Sequence, residues 1–338
     1  MRVSGFFAHL ISWRTVSALF VTTATSAGHA HHGVAGLGAA GLKGPGAPVE
    51  AATSATLPAG SRLLYLKLDH VKYETYDSDA ASPESDYANY WMAGIGYGFK
   101  PWLSGYLFLP YHEKIDEPGG FNTRGFADVS LFAQAGFMYD GDWQLIPDNE
   151  SLDDLEDWHF TLFGGFSLPS GDANLRDRNG DIDPGKSTGF GRSAWSLGMT
   201  ATKMLSQQWT FNQELSMIGF QEYEYDDGNR TKFGQELRAN SAIVYRVYTD
   251  LDRKLRLDLA LEAHYLHLGR DRTNGVDERA TGGDMIYGLP GARLYWDNVS
   301  VAFGVKFPIW TDLNEEDEQQ GGEGTEDYRL LLTLSTLF

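Results

Sequence analysis

The sequence predicts an all-β protein, a transmembrane antiparallel β-barrel of about 12 strands with a disordered N-terminal lead-in. Two observations predict it. Segments of roughly ten residues with alternating apolar and polar side chains recur after Pro58, and the last of them ends the chain on Phe338. In that segment Arg329, Thr333 and Ser335 fall on one face, which only a two-residue period allows. The opposite face carries Tyr328, Leu330, Leu332, Leu334 and Phe338.

Composition agrees with a membrane span made of strands. Mean hydropathy is −0.33 with 42% hydrophobic residues, and no apolar run of about 18 residues follows the N-terminal region, which excludes a helical membrane bundle. The 39 Gly, 17 Tyr, 9 Trp and 19 Phe supply turn residues and interfacial aromatics. An array of soluble β-sandwiches is the alternative that composition leaves open.

Three segments are predicted. Residues 1–30 have the pattern of a cleaved signal peptide, with Arg2 and Arg14, a short apolar core and small residues up to Ala30. Residues 31–57 are rich in Gly, Ala and His and are expected to form a flexible periplasmic segment, with a plug tucked into the barrel as the open alternative, and residues 58–338 are expected to form the barrel. The chain has no Cys, as suits export, and the net charge of −19 argues against nucleic acid as a partner. The expected location is the outer membrane of a Gram-negative bacterium.

The strands are predicted from alternation and from connection lengths. The clearest span residues 254–266 and 299–309. Short turns are expected near residues 98–101, 206–208, 249–252 and 297–298, and long acidic loops between them on the outer side. The acidic connection 140–157 breaks this rule and is expected to carry a short helical turn. Further strands are predicted at about 62–75, 87–97, 102–114, 128–137, 158–168, 194–205, 209–221, 236–247, 285–296 and 328–338.

Charged residues that alternate with the lipid-facing ones are candidates for the lumen. Two roles remain open for them: a structural lattice of ion pairs, or a polar constriction that selects and gates solutes. The candidates are Glu214, Glu236, Arg238, Arg246, Arg256, Asp258, Glu262, His264, Arg293, Lys306 and Arg329.

Aromatic and proline residues near the outer ends of strands form two further candidate sets. An outer mouth that binds solutes is expected around Tyr106, Phe108, His112 and Trp310. Proline lacks the amide hydrogen that a closed barrel needs at every position, so a bulge or lateral gap is expected in the wall. The candidate positions are Pro110, Pro290 and Pro308.

Metal ligation is a weaker prediction. The residues concerned are His29, His31 and His32, which suit copper or nickel, and Asp177, Asn179, Asp181 and Asp183, which resemble a calcium loop without its bidentate Glu. No His is followed two residues later by Ser, and neither a phosphate loop nor a zinc signature is present. We therefore expect no enzyme and no cofactor.

Several short motifs together resemble the outer-membrane transporters of the MetA-pathway of phenol degradation family. They lie at residues 94–98 (GIGYG), 125–129 (GFADV), 164–172 (GGFSLPSGD), 189–195 (GFGRSAW) and at the Phe-terminated last strand. The resemblance covers most of residues 58–338 and implies an outer-membrane channel for aromatic or other small hydrophobic compounds.

The expected function is therefore passive uptake of small organic solutes. A metal-associated outer-membrane protein, or a structural or adhesive barrel that works through its loops, are the alternatives. The expected partners are a small-molecule solute, outer-membrane lipid and lipopolysaccharide, and the barrel-assembly machinery, which would engage the C-terminal Phe338.

Overall fold

The computed structural model describes residues 46–73, 87–115, 121–147, 156–315 and 325–338. Their strands are β1 (Arg62–Tyr73), β2 (Tyr87–Lys100), β3 (Leu103–Ile115), β4 (Thr123–Phe126), β5 (Ser130–Asp140), β6 (Asp142–Leu145), β7 (Trp158–Ser167), β8 (Trp195–Met204), β9 (Trp209–Gly219), β10 (Tyr223–Glu224), β11 (Arg230–Lys232), β12 (Glu236–Asp250), β13 (Leu255–Leu268), β14 (Arg272–Thr273), β15 (Val276–Asp277), β16 (Gly283–Trp296), β17 (Val299–Leu313) and β18 (Glu326–Leu337). In this part of the chain no helix is long and apolar enough to cross a membrane.

Antiparallel pairing closes the main sheet into a barrel. Fourteen strands are hydrogen-bonded in the order β4-β3-β2-β1-β18-β17-β16-β13-β12-β9-β8-β7-β5-β6, and an additional pairing of β3 with β5 completes the circle. The short strands β4 and β6 flank this junction, so twelve strands form the wall. Arg62 and Phe338 exchange backbone hydrogen bonds of 2.7 and 2.9 Å where the two ends of the barrel chain meet. The predicted fold class and strand number are confirmed.

The two-residue period sorts side chains as the sequence predicts. In β13, Leu259 and Leu261 are exposed on the outer face, whereas Arg256, Asp258 and Glu262 are buried in the interior. In β18, Leu331 is buried toward the interior between the outward-facing Leu332 and Leu330. Alternation of this kind places the apolar face against lipid and the polar face in the lumen.

Connections at the two ends of the barrel differ in length. Residues 101–102, 205–208, 251–254 and 297–298 link strands at the end where β1 begins and β18 ends, which by convention is periplasmic. The opposite end carries the longer loops and a four-stranded sheet of β10, β11, β14 and β15. Within connection 140–157 the structure forms β6, which the sequence did not predict. The expected helical turn falls on residues 148–155, outside the described part of the chain.

The proline positions coincide with changes in the hydrogen-bond ladder. Strand β3 pairs with β5 only as far as Phe108, and beyond Pro110 it pairs with β4. Pro290 pairs with β13 in an unbroken register, but the ladder from β16 to β17 has no pairs at Leu289 and Pro290. A bulge follows, because Tyr287 is opposite Pro308 while Ile286 is opposite Trp310. These interruptions lie where proline cannot donate a ladder hydrogen bond.

Candidate functional site in the barrel lumen

An N-terminal strap, residues 46–57, lies inside the barrel. It begins near the periplasmic end, where the amide of Ala47 donates to the hydroxyl of Tyr295 at 3.2 Å. It returns to the same end, where the amide of Leu57 donates to Ser104 Oγ at 2.8 Å. Between these points nearly all of its side chains are buried, so the strap fills part of the lumen.

Glu262 of β13 holds the turn of the strap. Its carboxylate accepts the backbone amides of Val49 at 2.5 Å, Glu50 at 3.2 Å and Ala51 at 2.8 Å. Glu214 of β9 accepts the next amide, that of Ala52, at 2.9 Å. The strap has no neighbouring strand whose carbonyl groups could accept hydrogen bonds from its amides. The carboxylates of the barrel wall accept these hydrogen bonds instead.

The strap contributes one acid to the charge balance of the lumen. The Glu50 carboxylate lies 3.0 Å from Lys306 Nζ and 4.0 Å from His264 Nε2, and all three side chains are buried. His264 Nε2 also lies 3.2 Å from a carboxylate oxygen of Glu262. Since a buried ammonium needs a counter-charge, the strap and the barrel wall complete one another electrostatically.

The structure places the predicted lumen residues on one arc of the wall, from β9 through β12, β13, β16 and β17 to β18. They are buried there except Arg238 and Arg246, which are half-buried. Most of them form close ion pairs: Arg256 with Asp258, Arg238 with Glu236 at 2.6 Å, and Arg329 with Glu326 at 2.7 Å. Lys67 and Asp69 of β1 form a further pair at 3.0 Å.

The opposite arc, formed by β2, β3, β5, β7 and β8, presents mostly aromatic, small and hydroxyl side chains. Tyr106 and Phe108 stack with ring centroids 6.2 Å apart, and Leu57 of the strap packs in the same cluster. Gly94 and Gly96 of β2 make room for the two rings. A Cβ at Gly94 would lie 2.5 Å from Phe108, and one at Gly96 would lie 2.7 Å from Tyr106.

An outer loop, residues 168–194 between β7 and β8, reaches into the barrel. Asp128 holds it by accepting the amides of Gly171 at 2.8 Å and Phe190 at 3.0 Å. Lys114 holds it too, since its ammonium donates to the carbonyl oxygens of Gly185 at 2.7 Å and Ser187 at 2.8 Å.

A cavity of about 110 Å³ lies beneath the outer loop, and its lining combines inward-facing side chains such as Phe108 with Trp91, Phe166 and Trp195, which belong to the outer face of the wall. Its lining is mainly aromatic and apolar, and the ion pair of Lys67 and Asp69 borders it. The apolar residues of the lining include Tyr90, Met92, Phe108, Phe132, Phe190 and Phe220. The rings of Phe190 and Phe220 pack at a tilt of 52° with centroids 5.0 Å apart, so the loop supplies part of the cavity wall.

The four residues of the predicted outer mouth do not come together. Phe108 and His112 line the cavity, and Tyr106 lies next to Phe108 toward the strap. Trp310 is 47% exposed and paired with Ile286, on the outer face of the wall. The bulge between β16 and β17 shifts the alternation by one residue, which turns Trp310 away from the lumen.

The predicted calcium loop, Asp177, Asn179, Asp181 and Asp183, does not form a metal site in the part of the chain that the structure describes. No group of three or more His, Asp or Glu side chains there could hold a metal ion. One carboxylate oxygen of Asp177 accepts the amides of Asn179 at 2.8 Å and Asp181 at 2.9 Å, which forms a tight turn. His29, His31 and His32 lie outside the described residues, so copper or nickel binding stays a prediction.

Of the two expectations for residues 31–57, the structure places residues 46–57 inside the barrel rather than in the periplasm. The contacts that hold this strap, the Lys67 and Asp69 pair, and the anchors of the outer loop were not predicted. One signal was available: the alternation of β1 puts Lys67 and Asp69 on its inward face with Tyr65 and Val71. For Asp128, the alternation of residues 128–137 indicated an inward-facing carboxylate. No local pattern indicates that it binds a loop more than forty residues away.

These features define a class: a twelve-stranded antiparallel β-barrel of the kind found in the Gram-negative outer membrane, with an occupied lumen. No protein-family model and no curated protein matches the sequence. The MetA-pathway resemblance therefore remains a resemblance.

Solved structures resemble the chain in fold. The COG4313 outer membrane channel from Pseudomonas putida F1 has a TM-score of 0.65 at 13% identity, covering 84% of this chain and 98% of that one. The β domain of the Bordetella autotransporter BrkA has a TM-score of 0.45 at 9% identity, covering 82% and 100%. A monoaromatic hydrocarbon channel, a TodX mutant, has a TM-score of 0.39 at 10% identity, covering 83% and 89%. At such low identity the likeness concerns the barrel fold.

Proposed function

We propose that this protein is an outer-membrane channel for the passive uptake of small organic solutes, aromatic or otherwise hydrophobic. The observation that carries the proposal is the aromatic cavity beneath the outer loop. Its volume is of the same order as the engineered apolar cavity of about 150 Å³ that binds benzene. A filled barrel that served only as a scaffold would have no need for an aromatic cavity in its interior.

The strap and the lumen charges would act as the gate. A solute that leaves the cavity toward the periplasm meets the strap, whose amides bind Glu262 and Glu214 and whose Glu50 pairs with Lys306. Passage then requires the strap to move or to loosen, and the cost of breaking these contacts would set the rate.

The experiment is uptake of toluene and of phenol into proteoliposomes that carry the refolded barrel. Three proteins are compared: the complete barrel, a variant without residues 31–57, and a variant in which residues 46–57 are replaced by a Gly/Ser chain of equal length. Saturable entry that rises in both variants is the expected result, because both lack the Glu50 and Leu57 side chains. Liposomes without protein give the background rate.

Entry no faster than this background with all three proteins would refute a solute channel. It would favour a barrel that works through its surface loops. Entry that rises after deletion but not after Gly/Ser replacement would show that the backbone of the strap, rather than its side chains, blocks the path.

A further inference from the structure

A row of polar side chains crosses the outward-facing surface of β1, β2, β3 and β4 near the outer end of the barrel. Its four members, the polar row, are cross-strand neighbours: His70 pairs with Asn89, Asn89 with Glu113, and Glu113 with Arg124. They point outward, because a buried residue of the interior precedes or follows each of them in its strand. His70 Nδ1 lies 2.8 Å from Asn89 Oδ1, and Asn89 Nδ2 donates to Glu113 Oε2 at 3.3 Å. The row is thus an ordered polar surface on the outside of the wall.

The height of the polar row matches the outer interface of the membrane. Along β2, Phe99 follows Asn89 by about ten residues and is 57% exposed near the periplasmic end. At about 3.3 Å per residue and a strand tilt of about 40°, this span rises about 25 Å, which is the height of the apolar band of an outer-membrane barrel. Just below the row, Trp91 and Tyr111 face outward as cross-strand neighbours, as expected of an aromatic girdle. The polar row therefore lies at the level of the lipid headgroups of the outer leaflet.

The two ends of this surface are positively charged. Arg124 of β4 forms one end, and Lys72 of β1 lies two residues beyond His70 at the other. Within the part of the chain that the structure describes, neither Lys72 nor Arg124 forms an ion pair. Their charges can therefore act on a ligand. Since neighbouring strands are about 4.8 Å apart, three strand spacings separate the two cations by about 14 Å.

A nearby part of the wall carries the opposite charge at the same end of the barrel. On β16 and β17, Asp284 and Asp312 are cross-strand neighbours that face outward. Asp284 accepts a hydrogen bond from the hydroxyl of Tyr265 at 2.5 Å and lies 2.9 Å from His267 Nδ1. An anionic headgroup would be repelled there and attracted to the β1–β4 side, so the charges of the belt favour one side of the barrel for an anionic lipid.

We propose that the polar row together with Lys72 is a docking site for lipid A, the phosphorylated disaccharide anchor of lipopolysaccharide. Lipid A carries a phosphate at each end of its disaccharide, and guanidinium and ammonium groups bind phosphate. The amide of Asn89 and the carboxylate of Glu113, between the two cations, can hydrogen-bond to sugar hydroxyls. The acyl chains would lie below the row, against the exposed side chains of Leu66 and Ile95.

The distance between the cations favours lipid A over a phospholipid. A phospholipid has one phosphate, which cannot reach both ends of a site about 14 Å long. It would also bring no sugar hydroxyls to Asn89 and Glu113. The proposal concerns the outer surface of the wall and is independent of the solute that the lumen admits.

The test measures lipid binding by native mass spectrometry of the full chain in detergent. The probes are bisphosphoryl lipid A, monophosphoryl lipid A and phosphatidylglycerol. The wild type should bind bisphosphoryl lipid A about fivefold more tightly than the monophosphoryl form. This ratio corresponds to about 1 kcal/mol for one cation at an anionic lipid, at 1.4 kcal/mol for each factor of ten. Phosphatidylglycerol should bind more weakly than either form of lipid A.

The variant Lys72→Gln with Arg124→Gln removes both cations and should weaken binding of bisphosphoryl lipid A about 30-fold. Each single substitution should weaken it about fivefold, so the test does not depend on the double variant alone. A matched control, Arg62→Gln with Lys100→Gln, removes two exposed cations from the periplasmic ends of β1 and β2 and should leave the affinity unchanged. Glu113→Gln removes the negative charge of the row and should tighten binding. Heat-modifiable migration in gels identifies the folded variants.

Three results would overturn the proposal. The first is equal affinity of the wild type and the Lys72 and Arg124 variants for bisphosphoryl lipid A. The second is an equal loss of affinity in the Arg62 and Lys100 control, which would show attraction by net charge without a site. The third is binding of phosphatidylglycerol as tight as that of bisphosphoryl lipid A, which would show a surface for anionic lipids in general. None of these results bears on solute uptake, so the proposed function would stand.

Discussion

The substitution Glu262→Gln should release the turn of the strap. Three consecutive backbone amides, of Val49, Glu50 and Ala51, donate to this one carboxylate. Glutamine keeps one carbonyl oxygen and replaces the other by an NH₂ group. This NH₂ group is a donor, so it cannot accept a hydrogen bond from the backbone amides of the strap. Hydrogen bonds to a charged acceptor contribute about 1.5–3 kcal/mol each, and such contributions are not additive. We expect the docking free energy of the strap to fall by about 2–4 kcal/mol.

Hydrogen exchange measured by mass spectrometry reports this change directly. If the strap amides exchange through undocking, a loss of that size raises their exchange rate about 30- to 700-fold, at 1.4 kcal/mol for each factor of ten. Amides in the middle of β13 should keep their protection, because the barrel ladder is unchanged. Planar-bilayer conductance should rise as well, since an undocked strap leaves more of the lumen open.

Glu236→Gln is the matched control. Its carboxylate is also buried in the lumen, but it binds Arg238 at 2.6 Å rather than the strap. The control should leave the exchange of residues 49–51 unaltered. Wild-type exchange rates at these amides in the Glu262→Gln variant would refute the reasoning, because the carboxylate would then not be what holds the strap.

Three further predictions concern the lumen, the cavity and assembly. Glu50→Leu should destabilise the refolded barrel by about 3–5 kcal/mol in urea titrations, because Lys306 loses its counter-charge. Adding Lys306→Met should restore most of the lost stability. Equal unfolding midpoints for the single and the double variant would contradict this prediction. Gly94→Ala should cost about 1–3 kcal/mol in the same titration and weaken binding of fluorobenzene, because its Cβ would displace the Phe108 ring; unchanged binding would show that the ring is free to shift. Phe338→Ala should barely change the melting temperature, because the side chain is 57% exposed. It should nevertheless lower the amount of barrel in the outer membrane of cells, measured by immunoblots of membrane fractions. Equal amounts of wild type and variant would argue against the ring as an assembly signal.

Local periodicity was sufficient to predict the wall of the barrel. Alternation in residues such as Leu259 to Glu262 identifies a strand and its two faces, because successive side chains of a strand point in opposite directions. The lengths of the connections then indicate which end of each strand is periplasmic. The number of strands and the inward direction of the charged side chains could therefore be predicted from the sequence alone.

The tertiary structure decided what the lumen contains. The contact of Glu262 with Val49 joins residues 213 positions apart, and no local pattern encodes such a pairing. The grouping of charged and aromatic residues on opposite arcs likewise depends on which strands become neighbours. Trp310 shows where alternation alone fails: the prolines indicated a bulge in this part of the wall, but its exact register was set by pairing with β16, and it reverses the side-chain direction of Trp310. Strand identity is thus a property of short segments, whereas the cavity, the strap and their charges are set by long-range register.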